Sequence, residues 1–300
     1  MPGFHTNRSD IALPTEVSSD IIAKTQEESA VMQLAIETDL PGRGTTIPVI
    51  LGDPEAEWVG ETQKKPVSNP EFSTKQMTPY TLSVIVPFSN QFRRDMGSLY
   101  DECIRRLPRA LAKKFDKTCF GGADAPGSNF DTLASVTAVS INPETYTDVL
   151  PSSYDGLVQA QLNIALNDGE LNGWALSPQG KAILLRSRDE DGRPLFLNGI
   201  ATDSIPSIFG APVKVSKGVY IDGTPKTVGF AGDWTKSRYG VVEGINIAIS
   251  DQATLELADG STINLFQQNM FAVRAEMEVG FVADTTVFNK LTSAGAVPSF

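Results

Sequence analysis

Between residues 95 and 120 the apolar positions repeat with helical spacing. Met96, Leu99, Cys103, Leu107, Leu111 and Phe115 form one stripe, which Tyr100 and Ile104 widen. Asp95, Asp101 and Glu102 stand early and Lys113, Lys114 and Lys117 late, the order that a helix dipole favours. Gly121-Gly122 predicts the stop, and Pro108 predicts a bend because it removes one backbone donor. The basic run Arg105, Arg106, Arg109, Lys113, Lys114 and Lys117 reads as a solvated face before it reads as a nucleic-acid surface. A second helix is expected over 152–166, capped by Ser152 or Ser153. Leu157, Val158, Leu162, Ala165 and Leu166 would be its apolar face and Asn167-Asp168-Gly169 its end. A third helix starts at Pro178 and carries Ala182, Ile183, Leu184 and Leu185. Near the N-terminus, Thr25 followed by Glu28 forms a capping-box pattern ahead of Ala30, Val31, Leu34 and Ala35.

Elsewhere the period falls to two. In 271–281 the odd positions Phe271, Val273, Ala275, Met277, Val279 and Phe281 are apolar, while Arg274, Glu276 and Glu278 alternate with them. That pattern predicts a long strand with one buried face. From 205 onward short apolar runs are separated by turn residues, including Asp222-Gly223 and Asp259-Gly260, so strands dominate there. Trp174-Ala175-Leu176 reads as another short strand. Helices and strands mix along the chain without a βαβ rhythm, which makes the class α+β.

The stretch 41–88 behaves differently. Pro41, Pro48, Pro54, Pro66, Pro70 and Pro79 exclude a helix, and the short apolar pieces left over predict two ribbons joined by a polar middle over 60–69. Its strands are expected around Ile47 and over 81–86. A lone hairpin is marginal in water, and a long excursion from a compact domain usually has a function. Trp58, Val67, Phe72 and Met77 need burial that such a ribbon cannot supply, and a neighbouring molecule is the simplest source. Glu61 in the same loop and Ile21 and Ile22 in the N-terminal arm join them as candidates for inter-subunit contact. Packing back on their own domain is the alternative.

Composition narrows the chemistry. The 300 residues carry a formal net charge of −11, so no broad face can hold DNA by neutralising phosphates. The single histidine is His5, close to the terminus, which removes histidine bases and histidine-rich zinc sites. Cys103 and Cys119 are sixteen positions apart on the expected long helix, or about 24 Å, beyond disulfide reach. In Ser187-Arg188-Asp189-Glu190-Asp191-Gly192 the acids suit a calcium loop, but Ser187 and Asn198 would occupy its first and twelfth positions, where acids are required. A solvated turn fits better. No phosphate-binding loop, nucleophile elbow, secretion signal or membrane-length apolar run occurs, so a soluble protein made in the cytoplasm, with no catalytic, metal or cofactor site, is expected.

Together these segments resemble the tailed-phage major capsid proteins with the Hong Kong 97-type fold, over about 14–290. One set of residues carrying the resemblance is Ala56-Glu57-Trp58-Val59-Gly60-Glu61, with Ser68, Phe72 and 84–90 after it, similar to the family's extended loop and the strand leading to its spine helix. Leu111-Ala112-Lys113-Lys114-Phe115-Asp116 and Phe120-Gly121-Gly122 look like the end of that helix. Trp174-Ala175-Leu176-Ser177-Pro178, then Asp191-Gly192-Arg193-Pro194-Leu195, then 208–216, and last Gly232-Asp233-Trp234 follow in the family's order. The resemblance implies an N-terminal arm (1–40), an extended β-hairpin loop (41–88) and a peripheral domain with the spine helix (89–134 and 261–288). It also implies an axial domain (135–260 and 289–300).

The expected function is a non-enzymatic shell subunit that assembles with itself as pentamers and hexamers into an icosahedral virion capsid around double-stranded DNA. Expected partners are a separate scaffolding protein (the chain starts almost at the arm), a portal and decoration proteins, with DNA enclosed but not read. Some relatives crosslink a loop lysine to an asparagine of the next subunit. Here Lys64, Lys65, Lys75 and Asn289 would be concerned, although solvated lysines are the simpler reading. Two other functions compete. An encapsulin-type bacterial compartment would co-purify with an enzyme cargo, and an acidic-site hydrolase or binding protein would stay monomeric and show a ligandable pocket.

Overall fold

A computed structural model describes residues 28–50, 58–59, 65, 72–95, 97–142, 152–187, 195–196, 205, 207–242, 244–257 and 259–294. Its N-terminal part is thin. Helix α1 (Ala30–Leu34) starts at Ser29, whose hydroxyl accepts from the Met32 amide, so Ser29 is the cap of this helix. The capping box expected at Thr25 lies outside the described residues. Strand β1 (Ile36–Glu37) follows. Then β2 (Thr45–Ile50) and β3 (Phe72–Met77) pair antiparallel, from Thr45 opposite Met77 to Ile50 opposite Phe72. Beside the pair, Gly44 takes φ +79°, a left-handed turn that a side chain would strain.

The second ribbon of this excursion is therefore 72–77 and not 81–86. Strand β4 (Tyr80–Ser89) carries 81–86 into the body, where alternation rules it: Tyr80, Leu82, Val84 and Val86 turn toward the core and Ile85 outward. After α2 (Asn90–Asp95) comes α3 (Gly97–Cys119), one continuous helix through Pro108. Leu107, Leu111, Ala112, Phe115 and Cys119 are buried along one side, while Arg105, Arg106, Arg109, Lys113, Lys114 and Lys117 are exposed. Gly121 adopts φ +82°, its amide bonds Thr118 O and the Gly122 amide bonds Lys117 O, which closes the helix as the glycine pair predicts.

Next come β5 (Thr137–Asn142), α4 (Ser153–Ala165), β6 (Gly173–Leu176), α5 (Pro178–Arg186), β7 (Ser207–Ile208) and β8 (Ala211–Val215). The rest is strand-rich: β9 (Lys226–Gly232), β10 (Ser237–Val241), β11 (Asn246–Ser250), β12 (Thr254–Glu256), β13 (Thr262–Asn264), β14 (Met270–Ala283) and β15 (Phe288–Ser293). The turn at Gly260 joins the β12–β13 hairpin.

Two sheets organise these elements. Strand β14 is the spine of a five-stranded sheet, with β4 antiparallel along one edge over ten register positions and β10 and β11 sharing the other. Strand β1 adds to β10 in parallel. The six-stranded sheet runs β5-β15-β9-β6-β8-β7 and mixes parallel and antiparallel pairs. It is covered on both faces, which is why β6 is apolar at successive positions: Trp174 and Leu176 join a core with α4 and α5, while Ala175 joins the core under α3. The end of α3 ties the two together, with Phe120 stacked on Phe230 at 4.7 Å and edge-on to Trp234.

Strand pairing joins segments that the expected division of the chain keeps apart. Residues 80–88, expected in the extended loop, and 237–241 with 246–250, expected in the axial domain, all pair with β14. Sheet partners are chosen by long-range packing, which sequence order does not carry.

Candidate assembly surfaces

The hairpin is fastened at its base. Met77 is fully buried, against Leu40 and Val282 with Ile47 and Val242 beside them. Gly240 and Gly280 leave room for it, since a Cβ at either would crowd Leu40 or Met77. Met77 is thus a core residue of its own chain, which corrects its reading as an inter-subunit contact: β10 and β14 supply the burial that the ribbon lacks. Lys75 adds a polar clasp. Its ammonium reaches the Asp131 carboxylate at 2.9 Å and the Ala283 carbonyl at 2.6 Å, and Asp131 also accepts the Ala283 amide at 3.0 Å.

Farther along the excursion Trp58 is fully exposed. The structure therefore separates residues that the sequence grouped, with Met77 inside and Trp58 outside. Phe72 is the first residue of β3, opposite Ile50. Glu61, Val67, Ile21 and Ile22 lie outside the described residues. Of the crosslinking residues, Lys75 is held in its clasp. Asn289 is buried with its amide on the Ala160 carbonyl, where a neighbour's lysine has no access.

A second surface was not legible. Helix α4, capped by Ser152, buries Ser153, Gly156, Leu157, Ala160 and Ile164. Of the expected face only Leu157 is inside. Val158, Leu162 and Leu166 are 41, 49 and 73 % exposed, in line with exposed Tyr154, whose ring meets Phe209 edge-on at 5.4 Å. At 3.6 residues per turn Tyr154, Val158, Leu162 and Leu166 form a row on the side nearly opposite the buried one. From Gly156 to Asn167 no residue is charged. That lack of charge is the signal that could have marked the row, because charge is depleted at the centre of protein interfaces.

Two buried aspartates tie distant segments of the body together. The Asp116 carboxylate accepts from the Ser29 and Ser216 hydroxyls, each at 2.6 Å, and from the Ala30 and Val31 amides at 3.0 and 3.3 Å. It joins the start of α1, the spine-like α3 and the loop after β8 at one point. Burial pushes its pKa above the usual carboxylate value, against the pull of those hydrogen bonds. Burial and the nearby Asp116 likewise push the Cys119 thiol well above its ordinary value, so it is a neutral packing group. Asp233 accepts from Asn172 at 2.8 Å, from the Glu170 amide at 3.2 Å and from the Thr235 amide at 3.0 Å. Those bonds set the Gly232-Asp233-Trp234 turn, and Trp234 then donates to the Gly173 carbonyl at 3.0 Å.

No group of three metal-ligating side chains occurs among the described residues, and none of their helices is long and apolar enough to cross a membrane. His5 and the run 188–192 lie outside those residues.

Residues 10–286 match the model of the phage capsid family. A probable major capsid protein of Mycobacterium phage D29 is 30% identical over 294 residues, covering 94% of this chain and 90% of the relative. The major capsid protein of Staphylococcus phage 80alpha is 26% identical over 294 residues, covering 96% and 86%. A solved chain from Mycobacterium phage Adephagia has the same fold, with a TM-score of 0.73 at 22% identity over 90% of this chain and 91% of that one.

Proposed function

The chain belongs to the phage capsid family, and on that premise we propose that it is a shell subunit of Hong Kong 97-type organisation, enclosing double-stranded DNA in an icosahedral head. Its role is that of the major capsid protein of a tailed phage, a structural component of the virion that assembles with copies of itself. An encapsulin-type compartment is not favoured, because the relatives that match nearly end to end are phage capsid proteins. The capsid family also points to a structural task and away from an acidic-site hydrolase.

The five-stranded sheet with α3 is the proposed peripheral domain, and the six-stranded sheet with α4 and α5 is the proposed axial domain, meeting its copies in pentamers and hexamers. Residues 1–40 are the proposed arm, and 41–88, which carry β2 and β3, are the proposed extended loop over a neighbour. A separate scaffolding protein, a portal and decoration proteins complete the proposed head. The enclosed DNA makes no sequence-specific contact, as the chain's net charge of −11 suggests. Synthesis in the host cytoplasm is part of the same reading.

The observation that carries this reading is the hairpin: clasped at its base by Met77 and Lys75, yet leaving Trp58 uncovered. A segment fastened at one end that leaves a large aromatic uncovered gains that burial from a second copy. Negative-stain electron microscopy of the purified chain, alone and with neighbouring phage genes, tests it. Closed shells or rings of five and six subunits are expected, and monomers under every condition would sink the reading.

A further inference from the structure

Beside the base of the hairpin lies an apolar cavity of about 220 Å3. Tyr80 and Leu82 of β4, Phe115 of α3, Val279 of β14 and Phe130 wall it, and Lys114 stands at its edge. The walls are set by ring contacts: Phe130 meets Tyr80 edge-on at 6.1 Å and Phe115 edge-on at 6.3 Å. An apolar cavity of roughly 150 Å3 takes a benzene-sized guest, so this one has room for an indole. Trp58, meanwhile, is a fully exposed indole. The other two tryptophans of the chain, Trp174 and Trp234, are buried.

We propose that this cavity receives Trp58 of a second copy of the chain, with Lys114 at its rim attracting the acidic sequence around Trp58. The inference rests on the shell-forming role above and names the contact through which the loop of one subunit holds the next. Three observations converge on it.

The first is reach. The cavity touches Tyr80, three residues from Met77 at the hairpin base, whereas Trp58 lies eight residues beyond the end of β2. The six residues of β2 alone carry the chain about 20 Å away from that base. Trp58 of the same chain makes no contact with the cavity, as its full exposure shows. The occupant comes from another molecule. Such a contact is heterologous, a projection on one surface and a socket on another, which is the kind that closes rings under rotational symmetry.

The second is charge. Asp53, Glu55, Glu57 and Glu61 surround Trp58 in sequence, and no basic residue falls between 53 and 61. Lys114 of α3 is exposed and lines the cavity, against one acid in that lining, Asp124. Opposite charges at the edge of an interface guide the encounter and fix the register. The third is chemistry. A large aromatic anchor entering an apolar pocket within a polar border is the arrangement that concentrates binding energy at protein interfaces.

The test uses the full chain with p-benzoylphenylalanine in place of Trp58, assembled into shells with its scaffold if one is required, then irradiated and mapped by mass spectrometry. Cross-links between subunits are expected at 79–82, 114–118 and 124–130, with a ladder of multimers on denaturing gels. In parallel, Lys114→Glu should slow shell growth about tenfold at low salt, an effect that added salt erases and that Glu57→Lys in the same chain relieves. Lys114 is exposed, so its replacement leaves the subunit folded. Shells whose cross-links fall elsewhere, or growth that Lys114→Glu leaves unchanged, overturn this contact alone. A chain that forms no shells under any condition overturns the shell reading as well.

Discussion

Helices α3 and α4 bury one side each and differ in what they turn outward. The outer side of α3 carries Arg105, Arg106, Arg109, Lys113, Lys114 and Lys117, long side chains that water solvates. That of α4 carries Tyr154, Val158, Leu162 and Leu166 in a row, with no charge from Gly156 to Asn167. A free monomer has no reason to keep such a row, whereas a subunit that loses this face to a neighbour does. The pattern of apolar residues alone cannot tell a core face from an interface face. In α4 it found the wrong one, because the inner side is built from small residues, Ser153, Gly156 and Ala160, with only Leu157 and Ile164 of any size. Gly156 is there because a side chain would run into the Ser140 carbonyl on β5.

Mutations on the two helices test this contrast. The largest effect is expected inside α3, where Phe115→Ala removes a buried ring and should cost about 3–5 kcal/mol in urea unfolding, leaving little folded subunit. Inside α4, Leu157→Ala should cost about 2–5 kcal/mol by the same measurement. Turned outward on the same helix, Leu162→Lys should change monomer stability by no more than about 0.5 kcal/mol and yet stop shell formation in light scattering. If Leu162→Lys instead unfolds the monomer, the outer row belongs to the core and the contrast fails. On the outer side of α3, Lys113→Ala should fall within about 0.5 kcal/mol and leave shells intact.

Asp116 sharpens the comparison by pH. Its pKa in the fold lies above its value in the unfolded chain, so on acidification the folded state takes up its proton first. The contribution of this group to stability is therefore fully present below the unfolded pKa, near 3.8, and declines as pH rises through the folded one. The difference in unfolding free energy between the wild type and Asp116→Asn should accordingly shift in favour of the wild type as pH falls from 7 toward 4. A difference that moves the other way would mean that the four donors around the carboxylate outweigh its burial.

What the sequence determined by itself is what depends on near neighbours. The stripe from Leu107 to Phe115, the glycine stop after Cys119, the alternation along 271–281 and the turn at Asp259-Gly260 were all readable, since periodicity and turn chemistry act within a few residues. The α+β class followed from these, and the order of the family-like segments pointed to a capsid subunit. Tertiary structure alone decided what depends on distant partners. It placed 80–89 against β14, put Met77 in the core while Trp58 stayed outside, turned Leu162 away from the body, and brought Ser29 and Ser216 to Asp116 across 87 and 100 residues of chain. Burial is a property of the assembled surfaces, and a residue's own neighbours in sequence do not say which surface will cover it.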